Sequence, residues 1–179
     1  NVVTDWLRRM NIPTRFVNGL RVTDAETLKV VVAILAGLVN KELVAAIQAL
    51  GGRAVGMSGI DGALLGAKIK DPEMGWVGDV GEVKPAALKA VLDAGFIPVV
   101  APLSYQSPPE VGDHNFILNV NGDTAAGQIA AALGAGDLHP EGAAQLVDLG
   151  LLLPGGALGV VHGEGAGGRG GGGDGGGGG

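Results

Sequence analysis

Residues 96–103 read Phe-Ile-Pro-Val-Val-Ala-Pro-Leu, apolar at nearly every position. Successive residues of a strand point to opposite faces, so a strand with this pattern must be covered on both sides. That is the condition of a central strand in a parallel sheet flanked by helices. Pro98, which has no N–H to give to a neighbouring strand, is the one residue that argues against a fully interior place. Upstream, Pro85 opens a helix that runs to about Ala94 and is closed by Gly95. Downstream of a polar loop over residues 104–114, residues 116–120 form another strand, and Asn121 caps an alanine-rich helix from Gly122 to Leu133. Strand, helix, strand, helix predicts the α/β class, a sandwich of helices about a sheet.

The first half of the chain fits the same scheme. Val3, Trp6, Leu7 and Met10 share one face of a helix that stops before Pro13. Two short strand-like runs, residues 15–17 and 20–22, flank Asn18-Gly19, the dipeptide that best suits a two-residue hairpin turn. Thr23 with Glu26 makes a capping box, which predicts a helix from Asp24 with Leu28, Val31, Val32 and Leu35 on its buried side. Gly37 interrupts this helix, Asn40 restarts it, and Leu43, Val44, Ile47 and Leu50 extend the apolar face until Gly51-Gly52 ends it. The expectation is one long bent helix or two in tandem. Residues 53–57 form a short buried strand, followed by a Ser58-Gly59-Ile60-Asp61-Gly62 loop. Weak alternation over residues 63–70 and 76–83 predicts a solvent-facing ribbon.

Composition bounds the function. The 179 residues carry 12 basic and 18 acidic side chains, a net charge of -6, and so offer no broad positive surface to a phosphate backbone. Nucleic acid is excluded as a partner on that ground. With no cysteine, disulfides and thiolate chemistry are excluded, and a reducing cytoplasm fits. No apolar run approaches the roughly 20 residues of a membrane helix, and Asp5, Arg8 and Arg9 stand where a signal peptide would be apolar, so a soluble protein is expected. Of 35 glycines, 16 fall among residues 155–179. Residues 163–179 therefore read as a low-complexity tail with almost no apolar side chain to order it, natural or artefactual. Residues 136–162 have no periodicity and are left unassigned; their composition is what a GC-rich gene yields when read out of frame.

Several polar residues qualify as site candidates. Asn119, Asn121 and Asp123 lie at the C-terminal end of a strand, where open α/β sheets bind ligands and helix N-termini favour anions. Spacing alone allows Asn121 to be only a cap and Asp123 only a first-turn acid. Arg21 precedes a helix start, where its planar fork suits a carboxylate, or it is a solvated hairpin arginine. Ser58 and Asp61 shape either a ligand lid or a tight turn. His114, His139 and His162 have no metal-ligand spacing and read as surface residues. The stretch from Gly163 to Gly168 satisfies a dinucleotide fingerprint only because glycine saturates it.

Five blocks carry a resemblance. Phe-Val-Asn-Gly-Leu-Arg-Val-Thr-Asp (16–24), Leu-Val-Asn-Lys (38–41), Ala-Val-Gly-Met-Ser-Gly (54–59), Ile-Pro-Val-Val-Ala-Pro (97–102) and Leu-Asn-Val-Asn-Gly-Asp-Thr-Ala-Ala-Gly (118–127) occur in one order and spacing. Residues 1–135 thereby resemble the substrate-binding half of the N-acetylglutamate kinases, members of the amino acid kinase family. The resemblance implies a three-layer α/β sandwich and transfer of the γ-phosphoryl of MgATP to the side-chain carboxylate of N-acetyl-L-glutamate, a step of arginine synthesis. It implies that Arg21 and Asn119 hold the substrate α-carboxylate, with Leu20 beside the ligand, and that Asp123 organises two catalytic lysines. It further implies ATP and Mg2+ bound largely by other segments and a homo-oligomer, dimer or hexamer, assembled through the long helix; arginine and a PII-type signalling protein are candidate partners on which the sequence does not decide.

Two departures shape the expectation. The family's Lys-x-Gly-Gly and His-Gly-Gly-Gly phosphate-binding segments, and its Gly-Gly-Met-x-x-Lys segment, have no counterpart in these residues, so the 179-residue chain itself is expected to be inactive. Gly122 replaces the usual alanine of the Asn-x-Asp turn. Two other functions are weighed beside the leading one: a sibling kinase of carrier-bound aminoadipate or glutamate, and a noncatalytic amino-acid-binding or sensor module. Asn18-Gly19-Leu20-Arg21, with no inserted glycines before the arginine, favours the free acetylated substrate.

Overall fold

The computed structural model describes residues 2–17, 19–108, 116–134 and 159–160. The expectations for residues 136–158 and 161–179, and for His114, His139 and His162, lie outside them.

The apolar run centred on residues 96–103 is not one strand. It divides at Pro102 into β6 (Ile97–Ala101) and β7 (Leu103–Gln106), which belong to different sheets. The polar stretch 104–106 is thus strand rather than loop. In the first sheet β6 lies parallel to β3 (Ala54–Ser58), with Gly56 opposite Val99, and a two-residue strand, Gly159–Val160, pairs antiparallel on its other side. Ile97 donates its N–H to Arg53 across the parallel pair, so by the two-residue period the nitrogen of Pro98 faces the opposite edge and costs the β3–β6 pair no ladder bond. The second sheet has the order β5-β4-β7-β8, formed by β4 (Leu65–Ile69), β5 (Gly78–Val83), β7 and β8 (Ile117–Asn119). The β4–β5 ribbon is not wholly solvent-facing: Leu65, Ala67 and Val80 are buried in the core.

Alternation along β6 explains the layers. Val99 and Ala101 face one helical side, packing with α1 (Val2–Arg9) and a long helix; Val100 faces the other, with Leu88 of α4 (Ala86–Asp93) and Ile129 of α5 (Gly122–Ala132). Helices therefore cover both faces of the strand, the three-layer α/β arrangement expected from the sequence.

The long helix is continuous from Ala25 to Ala49: α2 (Ala25–Val32), a π-helical stretch (Ala33–Val39) and α3 (Asn40–Ala49). Gly37 does not break it; the disturbance is absorbed as wider π turns. Nor does Asn40 restart it. Its backbone is helical, its side chain is fully buried, and its Nδ2 donates to the carbonyls of Met57 in β3 and Val99 in β6 at 3.1 and 2.9 Å. Gly56 leaves the space that amide occupies, since a Cβ there would overlap Asn40 Oδ1. Because the helix is unbroken, its most apolar 18-residue window reaches a mean hydropathy of 2.1, and it is the one helix among the described residues long and apolar enough to cross a membrane. In this fold it is a packed element, with Val30, Val31, Ile34, Leu35 and Leu43 against the first sheet and α1.

Candidate functional site

The hairpin forms as its turn residues dictate. β1 (Phe16–Val17) pairs antiparallel with β2 (Leu20–Arg21), Phe16 opposite Arg21, and Gly19 takes a φ of +78°. Residues 21–23 continue in extended form, so Arg21 and Thr23 point to the same side. The helix cap is Asp24 rather than Thr23: Asp24 has extended dihedrals and its carboxylate accepts from the Thr27 N–H at 2.8 Å. That hydrogen bond, aided by the Thr27 hydroxyl, holds the Asp24 carboxyl below its ordinary value.

Relieved of capping, Thr23 is fully buried and joins the two halves of the site. Its hydroxyl donates to the Arg21 carbonyl at 3.1 Å and accepts from Asn119 Nδ2 at 3.3 Å, across 96 residues of sequence. A backbone ladder supports this contact. Thr23 N–H donates to Met74, Trp76 N–H to Thr23, and Asn119 N–H to Trp76, at 2.9, 2.7 and 2.9 Å. The segment around Gly75 is wedged between the two strands, with bridges Thr23 to Gly75 and Val77 to Asn119. Only glycine fits at position 75, because its φ is +68° and a Cβ would strike the Thr23 carbonyl oxygen.

Arg21 is 9% exposed. Its Nη2 donates to Thr4 Oγ1 of α1 at 2.9 Å, and its Cζ lies 4.7 Å from the centroid of the exposed Phe16 ring. Nη1 is shielded from water and has no hydrogen-bond partner among the described residues. Burial draws the guanidinium below the usual arginine value, yet it remains charged. An unsatisfied charged donor of this kind is costly unless an anion completes it. Leu20, half-buried, precedes it in β2.

Asn119 ends β8, and two residues on Asn121 caps α5, its Oδ1 accepting from the N–H and hydroxyl of Thr124 at 2.9 and 3.1 Å. The caps of two helices, Asp24 of α2 and Asn121 of α5, therefore lie within two residues of the Thr23–Asn119 contact, each helix presenting the positive end of its dipole. Asp123 stands exposed in the first turn of α5 and forms no ion pair among the described residues. No group of three or more His, Cys, Asp or Glu among those residues is placed to hold a metal ion, so this donor set does not by itself make a magnesium site. Ser58 and Asp61 close on each other instead: Ser58 N–H and Oγ donate to Asp61 Oδ2 at 2.6 and 2.9 Å, a self-contained turn.

The structure thus links the Arg21 main chain to the Asn119 amide through the Thr23 hydroxyl, and places Asp123 exposed in the first turn of α5. Thr4, Thr23 and Gly75 were not singled out as site residues from sequence; the Arg-x-Thr alternation of an extended segment was the available signal for Thr23.

The Amino acid kinase family model matches residues 1–139. The chain belongs to that family. Among characterised members, this amino acid kinase chain is 49% identical over 140 residues to the acetylglutamate kinase of Methanopyrus kandleri, covering 74% of this chain and 54% of that protein. It is 45% identical over 135 residues to the acetylglutamate kinase of Dehalococcoides mccartyi, covering 75% and 50%, and 44% identical to the chloroplastic acetylglutamate kinase of Arabidopsis thaliana, covering 74% and 37%. The chain spans about half the length of the first two relatives. Among solved structures it superimposes on smu.665 from Streptococcus mutans UA159 with a TM-score of 0.65 at 26% identity, over 74% of this chain and 52% of that one. An N-acetylglutamate synthase from Neisseria gonorrhoeae, complexed with coenzyme A and N-acetyl-glutamate, superimposes with a TM-score of 0.56 at 25% identity, over 74% and 29%.

Proposed function

We propose that this chain is the amino-acid-binding part of an acetylglutamate kinase, whose complete form transfers a phosphoryl group from ATP to the side-chain carboxylate of N-acetyl-L-glutamate. The observation that carries the reading is the junction of Arg21 and Asn119 through Thr23, with one guanidinium nitrogen buried and unanswered among the described residues. In the reaction a carboxylate oxygen forms a bond to the γ-phosphorus as the bond to the ADP oxygen breaks, and no proton changes place. Two anions must meet, so the substrate has to be held by its far end while cations offset charge at the near one. Arg21 Nη1 and the free Nδ2 hydrogen of Asn119 would donate to the α-carboxylate, and Leu20 would line the ligand. Asp123 is an acceptor only; its role would be to hold ammonium groups supplied by other parts of the complete kinase. MgATP supplies the phosphoryl group when bound.

The uncovered side of Ala25–Ala49, including Ala33, Leu38 and Ala45, supports assembly with a second copy through this helix, which sedimentation would detect. Regulation by arginine or a PII-type protein and a cytoplasmic place belong to the same reading. The test is calorimetry of the 179-residue chain with N-acetyl-L-glutamate and with L-glutamate as control: saturable heat with the acetylated compound supports the proposal, and no heat at millimolar ligand overturns it. Phosphoryl transfer is not expected of this chain alone, because the lysines that the family's phosphate-binding segments provide have no counterpart in it.

A further inference from the structure

The Thr23 hydroxyl has a single hydrogen, and the Arg21 carbonyl 3.1 Å away takes it. Its oxygen is then left only to accept, so the atom of the Asn119 amide facing it at 3.3 Å must be the NH2 group. The flip state of Asn119 is therefore decided by a residue that is fully buried and reaches no ligand itself. The other Nδ2 hydrogen and Oδ1 make no hydrogen bond among the described residues. The same hydroxyl also ties down the Arg21 backbone, while Thr4 ties down one end of its guanidinium. The side-chain oxygen of Thr23 thus touches the Asn119 carboxamide and the backbone of Arg21, the two residues that would meet a carboxylate.

We infer that Thr23 is a positioning residue of the amino-acid site, which locks the Asn119 carboxamide with its donor side toward the ligand carboxylate and ties it to the backbone of Arg21. This rests on the reading of Arg21 and Asn119 as the carboxylate-binding pair. Without the lock, the amide is free to turn its oxygen toward the carboxylate, replacing attraction by repulsion. The specificity consequence is a preference for anionic over amidated ligands at that end: N-acetylglutamate over its α-amide.

The experiment compares Thr23→Val, nearly the same in shape and lacking the hydroxyl, with Thr23→Ser, which keeps it. Two readouts are taken on the full chain: N-acetyl-L-glutamate binding by calorimetry, and the Asn119 side-chain NH2 signals by NMR. Thr23→Val is expected to bind about tenfold more weakly, Thr23→Ser to bind within about twofold of the parent, and the Asn119 signals to shift only in the valine variant. The acid-over-amide preference should shrink in Thr23→Val alone. Unchanged Asn119 signals and unchanged affinity in Thr23→Val overturn the inference, as does equal loss in the serine variant, which would assign Thr23 to packing. If the parent chain shows the Asn119 signals held by Thr23 but takes up no N-acetylglutamate, the substrate reading falls and the lock stands as a structural contact.

Discussion

Two polar clusters on this chain use similar groups and differ in what they leave undone. On the second sheet, Tyr105 donates to Glu82 at 3.1 Å and Lys84 pairs with Glu82 at 3.2 Å, with the Lys84 ammonium 6.0 Å from the tyrosine ring centroid. This cluster is open to water and its groups answer one another. At the hairpin end, Arg21, Thr23 and Asn119 are more buried, are held by backbone ladders from three segments, and still leave a guanidinium nitrogen without a partner among the described residues. Water satisfies the first arrangement at no cost; the second keeps a shielded donor that water does not reach. Burial of an unmet donor, rather than charge density, separates the two clusters.

The sharpest way to break the contrast is Arg21→Ala. It should weaken N-acetyl-L-glutamate binding by roughly 1.5–3 kcal/mol, the range for a charged hydrogen-bonding partner, as read by calorimetry. Gly75→Ala comes next. Its positive φ and the approach of the Thr23 carbonyl predict a loss of about 2 kcal/mol in urea unfolding, with weaker ligand binding because the wedge between residues 23 and 119 is displaced. Asp24→Ala should cost about 1 kcal/mol through the lost cap of α2. Because the folded carboxyl is lowered, that contribution is complete above the ordinary aspartate value of 3.8 and is lost as pH falls below it, so the variant should show a shallower acid limb in its stability profile. The smallest effect belongs to the open cluster: Glu82→Gln should leave the melting temperature at neutral pH and ligand affinity unchanged. Lys84 is raised by Glu82, so any stabilisation it gives is present below the ordinary lysine value of 10.5 and disappears as pH rises above it.

Much of the fold was legible because local signals agreed with the tertiary structure. Asn18-Gly19 set the hairpin, Gly51 and Gly95 ended helices with φ of +86° and +75°, and Asn121 capped α5. Two of the misreadings share one cause: a polar residue with a sound local role was claimed by a distant partner. Thr23 fits a capping box, but Asn119 and Arg21 take its hydroxyl and the cap passes to Asp24. Asn40 is a good helix starter, yet Met57 and Val99 bind its amide inside an unbroken helix. The run 96–103 hid a change of sheet because both halves are buried, and apolar pattern alone carries no sign of which sheet buries them. Arg21 and Asn119 were identified through resemblance to a family rather than from spacing; their contact through Thr23 is a property of topology that no local window contains.

The central claim is that Arg21 and Asn119 act together on one end of one ligand, and a double-mutant cycle on N-acetyl-L-glutamate affinity tests it most directly. Arg21→Ala, Asn119→Ala and the pair are compared with the parent chain. The account predicts that the double loss falls short of the summed single losses by about 0.5–3 kcal/mol, as for groups sharing a partner. Losses that simply add, or affinity indifferent to both changes, would contradict it.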